Sequence, residues 1–222
     1  MTYRIVIALL TLCVCLALRA AGVNFEQLQQ TAIARFGAQA GAAIRDWQAA
    51  LTEIRSAGEL EKLRFINAYI NGRVAFVDDV AAWGVNDYWA TPLESLARGR
   101  GDCEDYVIAK YFSLRHLGVP VGRLRLTYVK ARMGSTAGPV TQAHMILAYY
   151  PTPDAEPLVL DNLVSDIRPA SRRPDLAPVF SFNSEGLWMV GGPAGGVAGG
   201  SRDLTRWRDL LTRMQSEGFD TH

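Results

Sequence analysis

Gly101-Asp102-Cys103-Glu104-Asp105 sets a thiol where a helix is expected to begin. Gly101 lets the chain turn sharply, and Asp102 is a good N-cap. Apolar groups recur at Cys103, Val107, Tyr111 and Leu114 before Gly118 and Pro120 end the pattern. A thiol attacks as thiolate, and the positive end of a helix dipole favours that anion. Asp102, Glu104 and Asp105 oppose it, because nearby carboxylates raise the pKa of a thiol. Asp102 has an ordinary role as a cap. A cluster of hard oxygen ligands also suits Ca²⁺, which would cancel the charge and fix the loop holding the thiol, although the spacing is not that of an EF-hand. The competing reading of Cys103 is a buried cysteine packed as a small hydrophobe.

Upstream of this stretch the chain reads as helical. Leu28, Ala32, Phe36, Ala40, Ile44, Trp47, Leu51 and Ile54 recur every three or four residues, with glycines at 37 and 41, and read as helices with a break. Leu60, Leu63, Ile66, Ala68 and Ile70 repeat the pattern up to a stop at Asn71-Gly72. The aromatic segment 83–92 reads as a loop, either capping the core with Trp83 and Trp89 or walling the cleft of Cys103. Downstream, residues 124–129, 144–149, 158–161 and 179–182 have strand composition between Gly/Pro turns, which predicts an antiparallel sheet. Helices followed by strands make an α+β chain. The tract 191–200 reads as a flexible Gly-rich loop, and residues 202–216 as a C-terminal helix that docks on the body through Leu204, Trp207, Leu210, Leu211 and Met214.

The 222 residues suit one domain, expected over 22–222. With 23 basic against 22 acidic residues, neither nucleic acid nor an anionic membrane surface is an expected partner. Residues 1–21 read as a signal peptide: Arg4 leads into an apolar run from Ile5 to Leu18, too short for a spanning helix, and small residues follow with cleavage expected near Ala20 or Ala21. No stable membrane insertion is expected once the leader is removed. Cys13 and Cys15 lie in that leader, so the exported chain would keep Cys103 alone, in a compartment where thiols are normally paired or lost.

A thiol nucleophile needs a base. His222 is the last residue, and His116 lies about three turns along the helix from Cys103, where a cation complements the dipole. His144 remains, in an apolar strand where a satisfied core histidine is the plain alternative. Asp161 interrupts the apolar run Leu158-Val159-Leu160. It either closes a turn with Asn162 or meets an imidazolium, holding His144 by one nitrogen so that the other faces Cys103. The Cys103 N–H is a natural oxyanion donor, with the indole N–H of Trp83 or Trp89 as a second candidate.

The stretches Asp87-Tyr88-Trp89-Ala90-Thr91-Pro92-Leu93-Glu94, Gly101 to Tyr106, Ala143-His144-Met145 and Leu160-Asp161-Asn162-Leu163 together resemble the bacterial transglutaminase-like cysteine proteinases of the LapG type. That resemblance implies a transglutaminase/papain-like fold, with a helical lobe carrying the cysteine at a helix start, packed on an antiparallel sheet bearing His and Asp. It assigns Cys103, His144 and Asp161 as nucleophile, base and orienting acid. It also implies Ca²⁺ dependence, with Asp102, Glu104 and Asp105 as ligands. Further implications are a periplasmic location and, as substrate, a large surface adhesin cut near its N-terminus at a paired-alanine site, which frees cells from a biofilm. The partner so implied is the periplasmic domain of an inner-membrane receptor for cyclic di-GMP that holds the protease inactive. The Gly-rich tract before the last helix has no counterpart in the family pattern. The same three side chains would also serve a transglutaminase-type acyl transferase, and the fold alone would serve a non-catalytic binding module.

Overall fold

Gly37, at φ 88°, separates α1 (Phe25–Phe36) from α2 (Ala38–Ile54) in the computed structural model, which describes residues 22–135, 138–189 and 204–221. The expected leader, the Gly-rich tract and His222 lie outside the described residues. Asn24 caps α1 by accepting from the Gln27 N–H at 3.1 Å. Gly41 is no break. It lies inside α2, where a Cβ would sit 2.5 Å from Ile33 Cγ1, so it lets the two helices approach. Helix α3 (Glu59–Arg73) runs through the expected stop at Asn71-Gly72 and ends where Val74 turns extended.

A small parallel pair follows, β1 (Ala75–Phe76) with a strand that arrives after two short helices. These are α4 (Asp79–Trp83) and α5 (Pro92–Arg98), and the partner is β2 (Arg100–Gly101). Thr91 and Glu94 start α5 with a capping box, and Pro92 sits where its missing N–H costs nothing. Helix α6 (Cys103–His116) is buried on every side from Asp105 to Leu114, as expected of a central helix. Its interior anchors include Tyr106, whose hydroxyl donates to the Val74 carbonyl, and Ser113, which accepts from the Trp47 indole at 3.0 Å.

The sheet lies against α6. Its strands are β3 (Leu124–Ser135), β4 (Gly138–Tyr149), β5 (Leu158–Leu160), β6 (Arg168–Pro169), β7 (Leu176–Phe182) and β8 (Leu187–Met189), all antiparallel in the order β6-β5-β4-β3-β7-β8. Strands β3 and β4 run beyond the apolar segments that signalled them. Their far ends form an exposed hairpin arm without core to bury, which is why composition missed it. Met145, Leu147, Leu124, Leu126 and Phe182 join the core shared with α6. Helix α7 (Thr205–Glu217) closes the helical side: Trp207 stacks on Phe112 at 5.8 Å, and Leu210 and Met214 are buried. The expected α+β architecture is thus the observed one. Among the described residues no helix is long and apolar enough to cross a membrane.

Candidate active site

Cys103 is the first residue of α6 and half-buried. Its position depends on Gly101, whose role differs from the sharp turn expected. Gly101 lies in β2, opposite Phe76, and a Cβ there would come within 2.7 Å of Asp105 Cβ, so glycine is needed for the packing of the first helical turn. Asp102 holds the N-cap position with extended backbone, yet its side chain makes no capping hydrogen bond. The Cys103 thiol donates to Glu104 Oε2 at 2.8 Å and receives the Met145 N–H from β4. Burial pushes the thiol pKa up, and the Glu104 carboxylate pushes it further than the Met145 N–H brings it down.

Cys103 and His144 line one cleft of about 130 Å³, with Phe76, Ala131, Met133, Gln142, Ala143 and Leu163 as the remaining wall. His144 stands on β4 opposite Val129 and is buried. Its Nε2 lies 2.8 Å from Asp161 Oδ1, leaving Nδ1 as the other ring nitrogen. Asp161 follows β5 directly, at 1 % exposure. Asp161 Oδ1 accepts the Leu163 N–H at 3.2 Å, closing a turn, and the same oxygen meets His144. Burial would raise its pKa, but the donors from His144, Arg173 and Leu163 outweigh burial and hold it at about 2. A buried carboxylate is tolerable only on such terms.

Arg173 went unread in the sequence. It is 3 % exposed, donates to Asp161 Oδ2 at 2.7 Å and is itself held by Asp175, from Nε to Oδ1 at 3.0 Å. His144, Asp161 and Arg173 therefore form one buried chain of charge-assisted hydrogen bonds. His116 stays apart as expected, 2.8 Å from Arg55 Nη2 and edge-on to Phe25.

The acidic residues divide. Asp102, Cys103 and Glu104 bring one ligand atom each within 4.8 Å of one another, and so do Asp79, Asp102 and Asp105. Asp79, at the start of α4, is the member that sequence spacing could not supply. Asp79 Oδ1, Asp102 Oδ1 and Asp105 Oδ2 are all buried without a hydrogen-bond partner. Burial raises the pKa of each; Asp102, with Glu104 beside it, reaches about 9. Converging, unsatisfied carboxylate oxygens fit a hard divalent cation, which takes oxygen ligands and removes the mutual repulsion.

The aromatic segment serves this cluster. The Tyr88 N–H donates to Asp79 Oδ2 at 2.5 Å and the Ala90 N–H to Asp105 Oδ1 at 2.7 Å. Trp89 stacks on Phe182 in the core, and Trp83 packs on Tyr88 and under the Arg98 guanidinium. Neither indole is part of the cleft wall at Cys103. Arg213 of α7 ties the segment down through the Tyr88 hydroxyl at 2.8 Å, Glu94 at 2.6 Å and the Trp89 carbonyl.

Residues 34–175 match the family described as bacterial transglutaminase-like cysteine proteinase BTLCP. No curated protein matches the chain. Legionella pneumophila LapG is 37% identical, with a TM-score of 0.72 over 88% of this chain and 99% of that one. Its EGTA-treated form superposes with a TM-score of 0.74 over 88% and 100%, and its calcium-bound form with 0.70 over 86% and 98%, each at 37% identity.

Proposed function

Because the chain belongs to the bacterial transglutaminase-like cysteine proteinases, we propose that it is a Ca²⁺-dependent periplasmic cysteine endopeptidase. Its substrate is a large surface adhesin, cut near the N-terminus to release cells from a biofilm. The periplasmic domain of an inner-membrane cyclic-di-GMP receptor restrains it. The observation that carries the chemistry is His144, which lines one cleft with Cys103 while Asp161 meets its Nε2.

In this reading Cys103 is the nucleophile, His144 the base and Asp161 the acid that orients it. The Asp161 carboxylate accepts the proton on Nε2, so Nδ1 is free to take the thiol proton. The sulfur attacks the scissile carbonyl carbon, and the Cys103 N–H at the start of α6 donates to the oxyanion. Imidazolium then protonates the departing amine, leaving a thioester. A water molecule, deprotonated by His144, hydrolyses it and restores the thiol. The cleft of about 130 Å³ admits small side chains, which suits a paired-alanine site. Asp79, Asp102, Glu104 and Asp105 would hold Ca²⁺, which when bound neutralises the carboxylates beside the thiol.

Incubation of the protein with an N-terminal adhesin fragment and a labelled amine tests this reading. Two unlabelled fragments are expected from the wild-type chain and none from Cys103→Ala. Label incorporation without chain cleavage would reject the endopeptidase in favour of acyl transfer.

A further inference from the structure

Strand β4 is paired on both sides only where β5 reaches it, from Leu147 to Tyr149. The Tyr150 N–H donates to the Arg123 carbonyl at 2.8 Å, on the β3 side. Backbone groups alternate sides along a strand, so the even-numbered residues face β3 and the odd-numbered ones face away. Met145 agrees, since its N–H leaves the sheet and meets the Cys103 sulfur. Ala143 and Thr141, next in that outward row, face an edge where no strand pairs among the described residues. Both are exposed. Ala143 also lines the cleft of the sulfur, beside Phe76, Met133 and Leu163.

We propose that this edge of β4, residues 140–143, recognises the substrate as an added strand, its occupant being an extended, unfolded segment of polypeptide that spans the scissile bond. The proposal rests on the endopeptidase reading and says what conformation that enzyme accepts. Two residues of strand cover about 7 Å, so a substrate strand whose scissile carbonyl lies at Cys103 sets a residue close to that bond against the Ala143 N–H and C=O. Main-chain pairing supplies affinity in this mode, and the apolar wall selects the side chains on one face. A folded substrate segment offers no free strand edge, so cleavage is confined to unfolded or linker stretches.

Two measurements test it. In the first, wild-type protein cleaves peptides carrying a single backbone N-methyl group at successive positions around, but not at, the scissile amide. Loss of about tenfold or more in kcat/KM is expected at alternate positions, with little effect between them, as removal of a made hydrogen bond predicts. In the second, Ala143→Pro deletes an N–H that β3 does not use, so the ladder survives; circular dichroism checks the fold. Its kcat/KM toward the unmodified peptide should fall by a similar factor, while alkylation of Cys103 by iodoacetamide, which needs no strand, keeps its rate. Cleavage by wild type with no alternation along the N-methyl series overturns the edge and leaves the endopeptidase standing. A wild-type chain that cleaves no peptide overturns both.

Discussion

Arg173 grips Asp161 by Oδ2, the oxygen that His144 does not use, at 2.7 Å. The carboxylate is thus pinned at both ends in a site closed to water, and its orientation toward the imidazole is set from behind. Arg173 does not line the cleft, so in the proposed reaction it is a positioning residue. Arg173→Met should lower kcat by about tenfold while KM changes little, because the loss falls on the imidazolium formed during reaction. The variant should also lose about 3 kcal/mol of stability as a broken buried pair. Arg173→Lys should recover only part of either, since an ammonium cannot span Asp161 and Asp175 as the guanidinium fork does. Equal kcat in wild type and Arg173→Met would show that His144 needs no support from that side.

The same pinning fixes a pH dependence. Asp161 titrates at about 2 in the folded chain against about 3.9 unfolded. A depressed carboxylate pKa stabilises the fold above the unfolded value, and that contribution, about 2 to 3 kcal/mol, is lost as pH falls from roughly 4 to 2. Asp161→Asn should therefore be less stable than wild type at pH 7, and the gap should close on acidification. Chemical unfolding at pH 7, 4 and 3 measures it; a gap constant with pH would mean that the carboxylate is not held as described.

What the sequence disclosed, and what it hid, follows the range of the interactions involved. The start of α6 is legible because the apolar spacing that begins at Cys103 acts within a few residues. His144 and Asp161 are legible by a different route, as polar groups interrupting apolar strands, where burial demands a partner. Asp79 and Arg173 carry no such mark. Asp79 reaches the acid cluster from a helix start more than twenty residues upstream, and Arg173 lies in the polar run Ser171-Arg172-Arg173-Pro174-Asp175, which reads as surface. Gly41 and Gly101 hide their roles for a related reason: each is glycine to admit a neighbouring side chain, Ile33 or Asp105, a contact that local sequence does not show.

Lys110 is fully buried on α6, with Nζ lacking a hydrogen-bond partner and lying 5.7 Å from the centre of the Tyr106 ring. Burial draws its pKa down to about 7, against the opposing pull of Asp161. The unfolded chain holds its proton up to about 10.4, so between these values the unfolded state binds more protons and stability rises with pH. Lys110→Met, which fills the same volume without a charge, should raise stability at pH 7 by about 1 to 3 kcal/mol and flatten the slope above it. A less stable variant would reveal a partner for the amine in solution.

Asp79 makes the metal proposal separable from the nucleophile. A cation held by Asp79, Asp102 and Asp105 would meet three oxygens that have no other partner, so its removal should return the full cost of burying them. Excess chelator should lower the melting temperature of the wild-type chain, and added Ca²⁺ should restore it in a concentration-dependent way, because a ligand of the folded state alone stabilises by mass action. Asp79→Asn keeps the shape but removes a charge. It should raise the Ca²⁺ concentration at half-recovery by about tenfold, a loss of about 1.4 kcal/mol in binding. Asp154→Asn, exposed and remote from the cluster in sequence, should leave that midpoint unchanged. Because melting is read without any substrate, Cys103→Ala should show the same Ca²⁺ response as wild type. A midpoint unmoved in Asp79→Asn would remove Asp79 from the ligand set, and a melting temperature indifferent to chelator would remove the metal altogether.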